Sequence, residues 1–385
     1  MKRNVLILGA SYGSLFGTKL LMAVHRVSLV CTQATAELIN CEGTRVRFPI
    51  RGRESLLEID SRRLPGALSA STPDKVEPEG FDLVVLGMSE AQYGSRGVRE
   101  LMRRVARARK PCLAIMNMPP LPYLKRIPGL STESLEVCYA DPRVWDDFDP
   151  ALTTLASPDP QAFRPQNQPK NVLQVGLPTN FKVARFEGDE PTGLLRSLEA
   201  DIEQARLDSG GDAMEIPVKL RVHESIFVPL AKWPMLITGN YRCILPNDMI
   251  SIREAVHGNV EKSRETYDWV SKLCIQLGAE TADLVPFEKY AKAAQDLGKP
   301  SAAARALFGG AQHIERVDRL VRQIARQQGL RSDPLYGIVS LVDERLARNR
   351  LAAERRPVAP AAATVTAESA AFGIAQLRSG VPAAT

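Results

Sequence analysis

Histidine, paired cysteine and long apolar runs are what this sequence has least of, and each scarcity removes a class of function. Four histidines occur in 385 residues. His25, His223, His257 and His313 are too dispersed for a zinc or di-metal site, whose ligands usually come in short, characteristic spacings. The six cysteines, Cys31, Cys41, Cys112, Cys138, Cys243 and Cys274, form no CxxC pair. Most sit in apolar runs such as Leu29-Val30-Cys31, so they are expected as buried thiols of a reducing compartment. The first apolar run, Val5-Leu6-Ile7-Leu8, meets Gly9 at once and is too short for a signal segment or a membrane span. A cytoplasmic protein with no membrane partner is expected. Charge of one sign is also lacking, because the net +6 is the residue of 50 basic and 44 acidic side chains spread along the chain. Nucleic acid is therefore not an expected partner, while a modest basic surplus suits an enzyme that collects phosphorylated cofactors and carboxylate substrates.

What is present points to a folded enzyme of two domains. The composition, 44% hydrophobic and 24% charged, is that of a soluble globular chain, and single cores stop growing near ~250–300 residues. Val5-Leu6-Ile7-Leu8 is a continuous apolar run ended by glycine, the pattern of a strand covered on both faces of a parallel sheet. Leu15, Phe16, Leu20, Leu21 and Met22 then recur at helical spacing, and Val27-Ser28-Leu29-Val30 supplies a second strand, completing a βαβ unit. Asp82-Leu83-Val84-Val85-Leu86-Gly87 and Cys112-Leu113-Ala114-Ile115-Met116 continue the alternation around a basic amphipathic stretch, residues 97–108.

Residues 141–170 are dense in Asp and Pro and aperiodic, and residues 171–186 read as a strand pair around Leu177-Pro178-Thr179-Asn180. Beyond Thr192 the pattern turns to helices over 193–205, 224–236, 253–277, 301–307 and 313–328. The fold class is thus α/β, an N-terminal Rossmann-type parallel sheet followed by an all-α domain. We place the nucleotide-binding domain at 1–188, the helical substrate and dimerisation domain at 189–354, and an Ala/Pro-rich tail at 355–385.

Between the first strand and helix stands Gly9-Ala10-Ser11-Tyr12-Gly13. Pyrophosphate binding at such a turn needs glycine for tight geometry and close approach, so that amide groups and the helix N-terminus face the anion. These five residues are the candidate cofactor loop. Gly13-Ser14-Leu15-Phe16-Gly17, followed by Leu20 and His25, resembles the opening of the ketopantoate reductases. Asp82-Leu83-Val84-Val85 with Gln92 resembles their fourth strand, and Ile115-Met116-Asn117-Met118 the segment with their cofactor and substrate asparagine. Pro229-Leu230-Ala231-Lys232, with Asn240 eight residues on, resembles the helix with their catalytic lysine. Pro300-Ser301 and the stretch around Glu315 resemble their last helices.

The resemblance implies an NADPH-dependent reduction of 2-dehydropantoate or a related 2-keto acid. Lys232 would polarise the carbonyl, and Asn117, Asn240 and Ser301 would bind a small carboxylate substrate. Asn117 would also touch the cofactor. Helical second domains of this kind commonly dimerise, which makes a homodimer the assembly to test for. Read from the residues alone, Lys232 is a snorkelling helix lysine, Asn117 a turn asparagine before Pro119-Pro120, Asn240 a helix C-cap and Ser301 an N-cap.

The chain departs from the family in several places. The loop is one residue shorter, with Ser11 near the place of the middle glycine. Thr32 and Ser89 stand where many members carry the basic residues that hold the 2′-phosphate. No carboxylate ends the second strand, which argues against NAD, so NADPH is favoured with NADH left open. Arg305 and His313 align with the family's aspartate and glutamate near the substrate serine, and Glu315 is a small shift away. Two alternatives follow: an opine-type dehydrogenase reducing a C=N bond, with Arg305 on a second carboxylate, or a non-catalytic nucleotide-binding protein.

Overall fold

The computed structural model describes residues 1–208 and 213–355, so the tail read at 355–385 lies, beyond Arg355, outside the described residues. The chain opens with β1 (Asn4–Leu8), α1 (Tyr12–Met22), β2 (Arg26–Val30), α2 (Gln33–Glu42), β3 (Arg45–Phe48), β4 (Leu57–Asp60) and β5 (Ala67–Ser71). It continues through β6 (Leu83–Leu86), α3 (Arg96–Arg107), β7 (Cys112–Ile115), α4 (Leu121–Leu124), β8 (Thr153–Ser157), β9 (Gln161–Phe163), β10 (Val172–Leu177) and β11 (Phe181–Ala184). Helix α5 (Asp189–Gln204), the short hairpin β12 (Leu207–Asp208) and β13 (Ala213–Met214), and β14 (Leu220–His223) follow.

An eight-stranded sheet runs in the order β14-β11-β8-β7-β6-β1-β2-β5. Its pairings are parallel except between β11 and β8. The strand order reverses between β6 and β1, and in open α/β sheets ligands bind at the carboxyl ends of the strands at such a switch point. The continuous apolar run of β1 has the meaning its sequence suggests: Val5 and Ile7 belong to one core cluster, Leu6 and Leu8 to another on the opposite face. A second sheet, β4-β3-β10-β9, adds Val46, Phe48, Leu173 and Val175 to the first of these cores.

The second half comprises α6 (Lys232–Met235), a π-helical turn at Leu236–Asn240, α7 (Ile252–His257), α8 (Val260–Gln276), α9 (Phe287–Ala294), α10 (Ala302–Phe308), α11 (Val317–Gln327) and α12 (Asp333–Glu354). Its apolar residues, among them Trp233, Val270, Val317 and Leu346, merge with the β1 face formed by Leu6 and Leu8 into one cluster. The helical half is therefore seated on the sheet. Among the described residues, no helix is long and apolar enough to cross a membrane.

Several sequence expectations need correction. Residues 171–186 are two strands in different sheets, since β10 pairs with β3 and β9 whereas β11 pairs with β8 and β14. The aperiodic stretch hides β8, an interior strand, because hydroxyl side chains interrupt its apolar run. Thr154 is nevertheless buried, and its hydroxyl donates to the Ala184 carbonyl at 2.6 Å. The main sheet runs on past residue 188 to His223, with β14 as an edge strand. The helix expected over 253–277 breaks at Asn259, whose side chain caps α8 by accepting from the Lys262 amide at 2.9 Å. The cysteines are all free, but Cys41 is exposed and Cys31 half-buried.

Candidate active site

The cofactor loop is held by backbone geometry. Gly9 has φ +103°, and a Cβ there would stand 2.7 Å from Met88 Cγ and 2.9 Å from the Gly87 carbonyl oxygen. Only glycine fits that conformation and that space without strain. A Cβ on Gly13 would lie 2.7 Å from Ile7 Cγ2, so α1 rests directly on β1. Ser14 closes the turn, its hydroxyl donating to the Ala10 carbonyl (2.6 Å) and its amide to the Ser11 carbonyl (2.9 Å). Tyr12 does not point away from the cleft. Its hydroxyl donates to the Pro160 carbonyl at 2.7 Å, tying the loop to the start of β9, and burial pushes its pKa up to about 12.

Asn117 follows β7 at the carboxyl edge of the sheet. Its side-chain amide donates to Glu315 Oε2 at 3.0 Å, while its own Oδ1 is buried with no partner. Glu315, and not His313, is the residue that meets Asn117; His313 is exposed. Burial raises the Glu315 pKa, opposed by hydrogen bonds from Asn117 and Glu90 and by the charge of Lys232. Two devices fix its backbone. Tyr241 donates to the Glu315 carbonyl at 2.5 Å, and the neighbouring Arg316 is locked to buried Asp318 by bonds of 3.0 and 2.9 Å and to Asp343 at 2.5 Å.

Lys232 begins α6. Its ammonium donates to the Pro158 carbonyl at 2.6 Å and lies 3.5 Å from Asp159 Oδ1. Burial lowers its pKa, with Asp159 and Glu315 pulling it back up. Asp159 itself is held by Ser157 and by Lys182, 3.6 Å away. With two directions of the ammonium used, one N–H remains for another acceptor. The π-helical turn after Lys232 reflects packing: a Cβ on Gly239 would overlap the Tyr290 hydroxyl, which donates to the Met235 carbonyl at 3.1 Å. Such turns recur at functional sites.

Asn240 and Ser301 meet, but through backbone. The Ser301 hydroxyl donates to the Asn240 carbonyl at 2.6 Å and accepts from the Ala304 amide at 3.1 Å, so it is the N-cap of α10. The Asn240 side chain has no hydrogen-bond partner among the described residues. Thr32 stands at the N-cap position of α2, where its hydroxyl donates to Thr35 Oγ1 at 3.0 Å, and Ser89 caps the turn at Glu90–Gln92. Neither brings a cation.

Glu90 and Asp159 join the site without any signal in the sequence. Glu90 is buried, accepts from the Ala140 amide at 3.0 Å, and has its pKa pushed by burial up to about 7. An acidic residue inside the run Met88-Ser89-Glu90-Ala91 carried no periodic signal, and Asp159 lay in the Pro-rich stretch read as aperiodic.

No protein-family model and no curated protein sequence matches the chain. Solved structures do. D-mandelate dehydrogenase, in a ternary structure with NADH and anilino(oxo)acetate, aligns with TM-score 0.60 at 12% identity over 90% of this chain and 99% of its own. The 2-dehydropantoate 2-reductase of Methylococcus capsulatus gives 0.59 at 15% identity over 90% and 97%. The dimeric ketopantoate reductase of Staphylococcus aureus gives 0.58 at 10% identity over 90% and 99%. The chain has the ketopantoate reductase fold. At these identities the likeness establishes the architecture expected from the sequence, a Rossmann-type sheet followed by helices, and chemistry has to be argued from the residues themselves.

Proposed function

We propose that the protein is a nicotinamide-dependent reductase of a small 2-keto acid, with NADPH as the preferred cofactor and Lys232 as the polarising acid. The observation that carries this reading is the convergence of Lys232, Asn117 and Glu315 on the carboxyl edge of the sheet beside the glycine loop. Two local features fit a dinucleotide. Gly9 holds the tight positive-φ turn that lets backbone amides and the start of α1 face an anion, and the orphaned Asn117 Oδ1 is a buried acceptor that a ribose hydroxyl would satisfy.

When bound, the nicotinamide supplies the hydride that reduces the carbonyl carbon. The Lys232 ammonium aims its free N–H at the carbonyl oxygen, stabilises the negative charge that develops there, and transfers the proton that completes the hydroxyl. Asp159 keeps that ammonium protonated in surroundings that disfavour charge. Glu315 orients Asn117, and the unpartnered Asn240 side chain is left to bind substrate. The substrate carboxylate needs donors, for which the Asn117 and Asn240 amides are candidates. Arg305, which an imine substrate with a second carboxylate would require, instead donates to the Pro300 carbonyl at 2.5 Å. Together with the precedent of a fold relative holding NADH and an oxo acid, this favours the ketone.

The test is loss of nicotinamide absorbance when NADPH and 2-dehydropantoate or another 2-keto acid are mixed with the protein. NADPH that binds but is not oxidised by any 2-keto acid would reject the reading. We also propose a homodimer, to be checked by light scattering.

A further inference from the structure

One side chain of the cofactor loop ends on the segment that holds Lys232. Tyr12 is the first residue of α1, so its backbone amide is one of those at a helix start that find no partner within the helix. Its phenol reaches the other way, to the Pro160 carbonyl at 2.7 Å. Residues 158–160 read Pro-Asp-Pro and join β8 of the main sheet to β9 of the small one. Each of the three carries a contact. The Pro158 carbonyl accepts from the Lys232 ammonium at 2.6 Å, Asp159 Oδ1 lies 3.5 Å from the same ammonium, and the Pro160 carbonyl takes the Tyr12 hydroxyl.

This strap is stiff along its length and loosely held at one end. Proline rings fix φ at 158 and 160, and Asp159, preceding a proline, is confined to extended backbone. The Asp159 amide also closes a tight turn on the Ser157 carbonyl at 2.9 Å. A displacement of the Pro160 carbonyl therefore carries Asp159 with it. At one end the strap continues an interior strand, β8. At the other, the ladder between β9 and β10 shifts register between Val175 and Leu177, opposite Ala162 and Gln161, and such irregularities leave a ladder locally unpaired. The Tyr12 hydroxyl supplies a fixed point just there. With its pKa pushed up to about 12 by burial, the phenol keeps its proton, and the bond, throughout the range in which a lysine titrates.

We propose that Tyr12 is a positioning residue for Lys232: acting through the strap of residues 158–160, its hydroxyl sets where the Pro158 carbonyl and the Asp159 carboxylate hold the ammonium. This rests on the reading of Lys232 as the acid and deepens it, since it gives the cofactor loop a direct hold on the lysine. Glu315, ahead of α11, and Lys182, on β11, also face the ammonium. Both sit on elements outside the strap, so a change at Tyr12 reaches the ammonium through Pro158 and Asp159.

Competitive labelling of the full chain with acetic anhydride, read by mass spectrometry, reports the protonation of Lys232 without turnover. Tyr12→Phe keeps the ring and removes only the hydroxyl. It should lower the Lys232 pKa by about half a pH unit and kcat by about tenfold, with NADPH affinity by calorimetry within about twofold of the wild type. Asp159→Asn should lower that pKa further, and adding Tyr12→Phe to it should change nothing more, because both act through the same contact. A Lys232 pKa that does not move in Tyr12→Phe, or that drops equally with and without the Asp159 carboxylate, overturns the proposal, even where the variant melts earlier. A wild type that oxidises NADPH with no 2-keto acid, while the labelling shifts as expected, leaves the positioning standing and removes the acid role.

Discussion

The cleft has one wall made of backbone and another made of buried charge. Around Gly9 the determinants are contiguous in sequence: a positive φ, a helix-sheet contact at Gly13 that admits no Cβ, and a serine closing its own turn. Around Lys232 they come from four distant segments, with Asn117 after β7, Asp159 after β8, Lys232 on α6 and Glu315 before α11. The first wall is rigid because any added atom collides. The second is held by mutual compensation, each charge kept in place by an opposite one, and loses its geometry when a partner is removed.

The largest expected effect attacks that compensation. Arg316→Ala leaves Asp318 fully buried with no counter-charge and should lower unfolding free energy by about 3–5 kcal/mol, read by urea denaturation. A loss under about 1 kcal/mol would show that Asp318 simply takes up a proton and that the charged wall is less interdependent than argued. Lys232→Ala should reduce kcat by about 10²–10³-fold with NADPH affinity within about twofold, since the lysine acts on the developing charge. Gly9→Ala addresses the other wall. It should cost about 1–3 kcal/mol of stability and weaken both nicotinamide cofactors together.

The contrast between the walls also explains what the sequence disclosed. β1, its glycine turn and α1 are local features, readable from Val5-Leu6-Ile7-Leu8 and the glycines that follow. The β8 strand was hidden because Thr153, Thr154 and Ser157 break its apolar pattern, and their burial is only possible through partners such as the Ala184 carbonyl. Lys232 and Asn117 were visible only through resemblance, as spacing says nothing about which segments meet in space. Glu90 and Asp159 had no local signal at all, because their meaning comes from segments that meet across the fold.

A smaller effect separates compensation from simple burial. Asp159→Asn removes the charge that raises the Lys232 pKa, so the lysine should lose its proton at lower pH. Its protonated form is the active one, and the alkaline limb of the kcat profile should move down by about one pH unit. An unmoved limb would detach Asp159 from the acid. The smallest is conformational. Lys19 on α1 is buried, donates to the Ile216 carbonyl at 2.7 Å, and has its pKa pushed down to about 7 by burial. Its folded pKa lies below the unfolded value near 10.5. Stability is therefore greatest above that unfolded value and declines as pH falls toward 7. Relative to Lys19→Met, the wild-type Tm should drop by several degrees between pH 10 and pH 7, at roughly 2–4 °C per kcal/mol. Parallel curves would mean that the amine is not desolvated in solution.

The most direct trial of the account is a single-turnover measurement at the nicotinamide absorbance band, with NADPH prebound and a panel of 2-keto acids that includes 2-dehydropantoate. The wild type should oxidise NADPH with at least one of them, and Lys232→Ala should hold the cofactor while oxidising almost none. Oxidation at equal rates by both proteins, or by neither despite saturating NADPH, would contradict it.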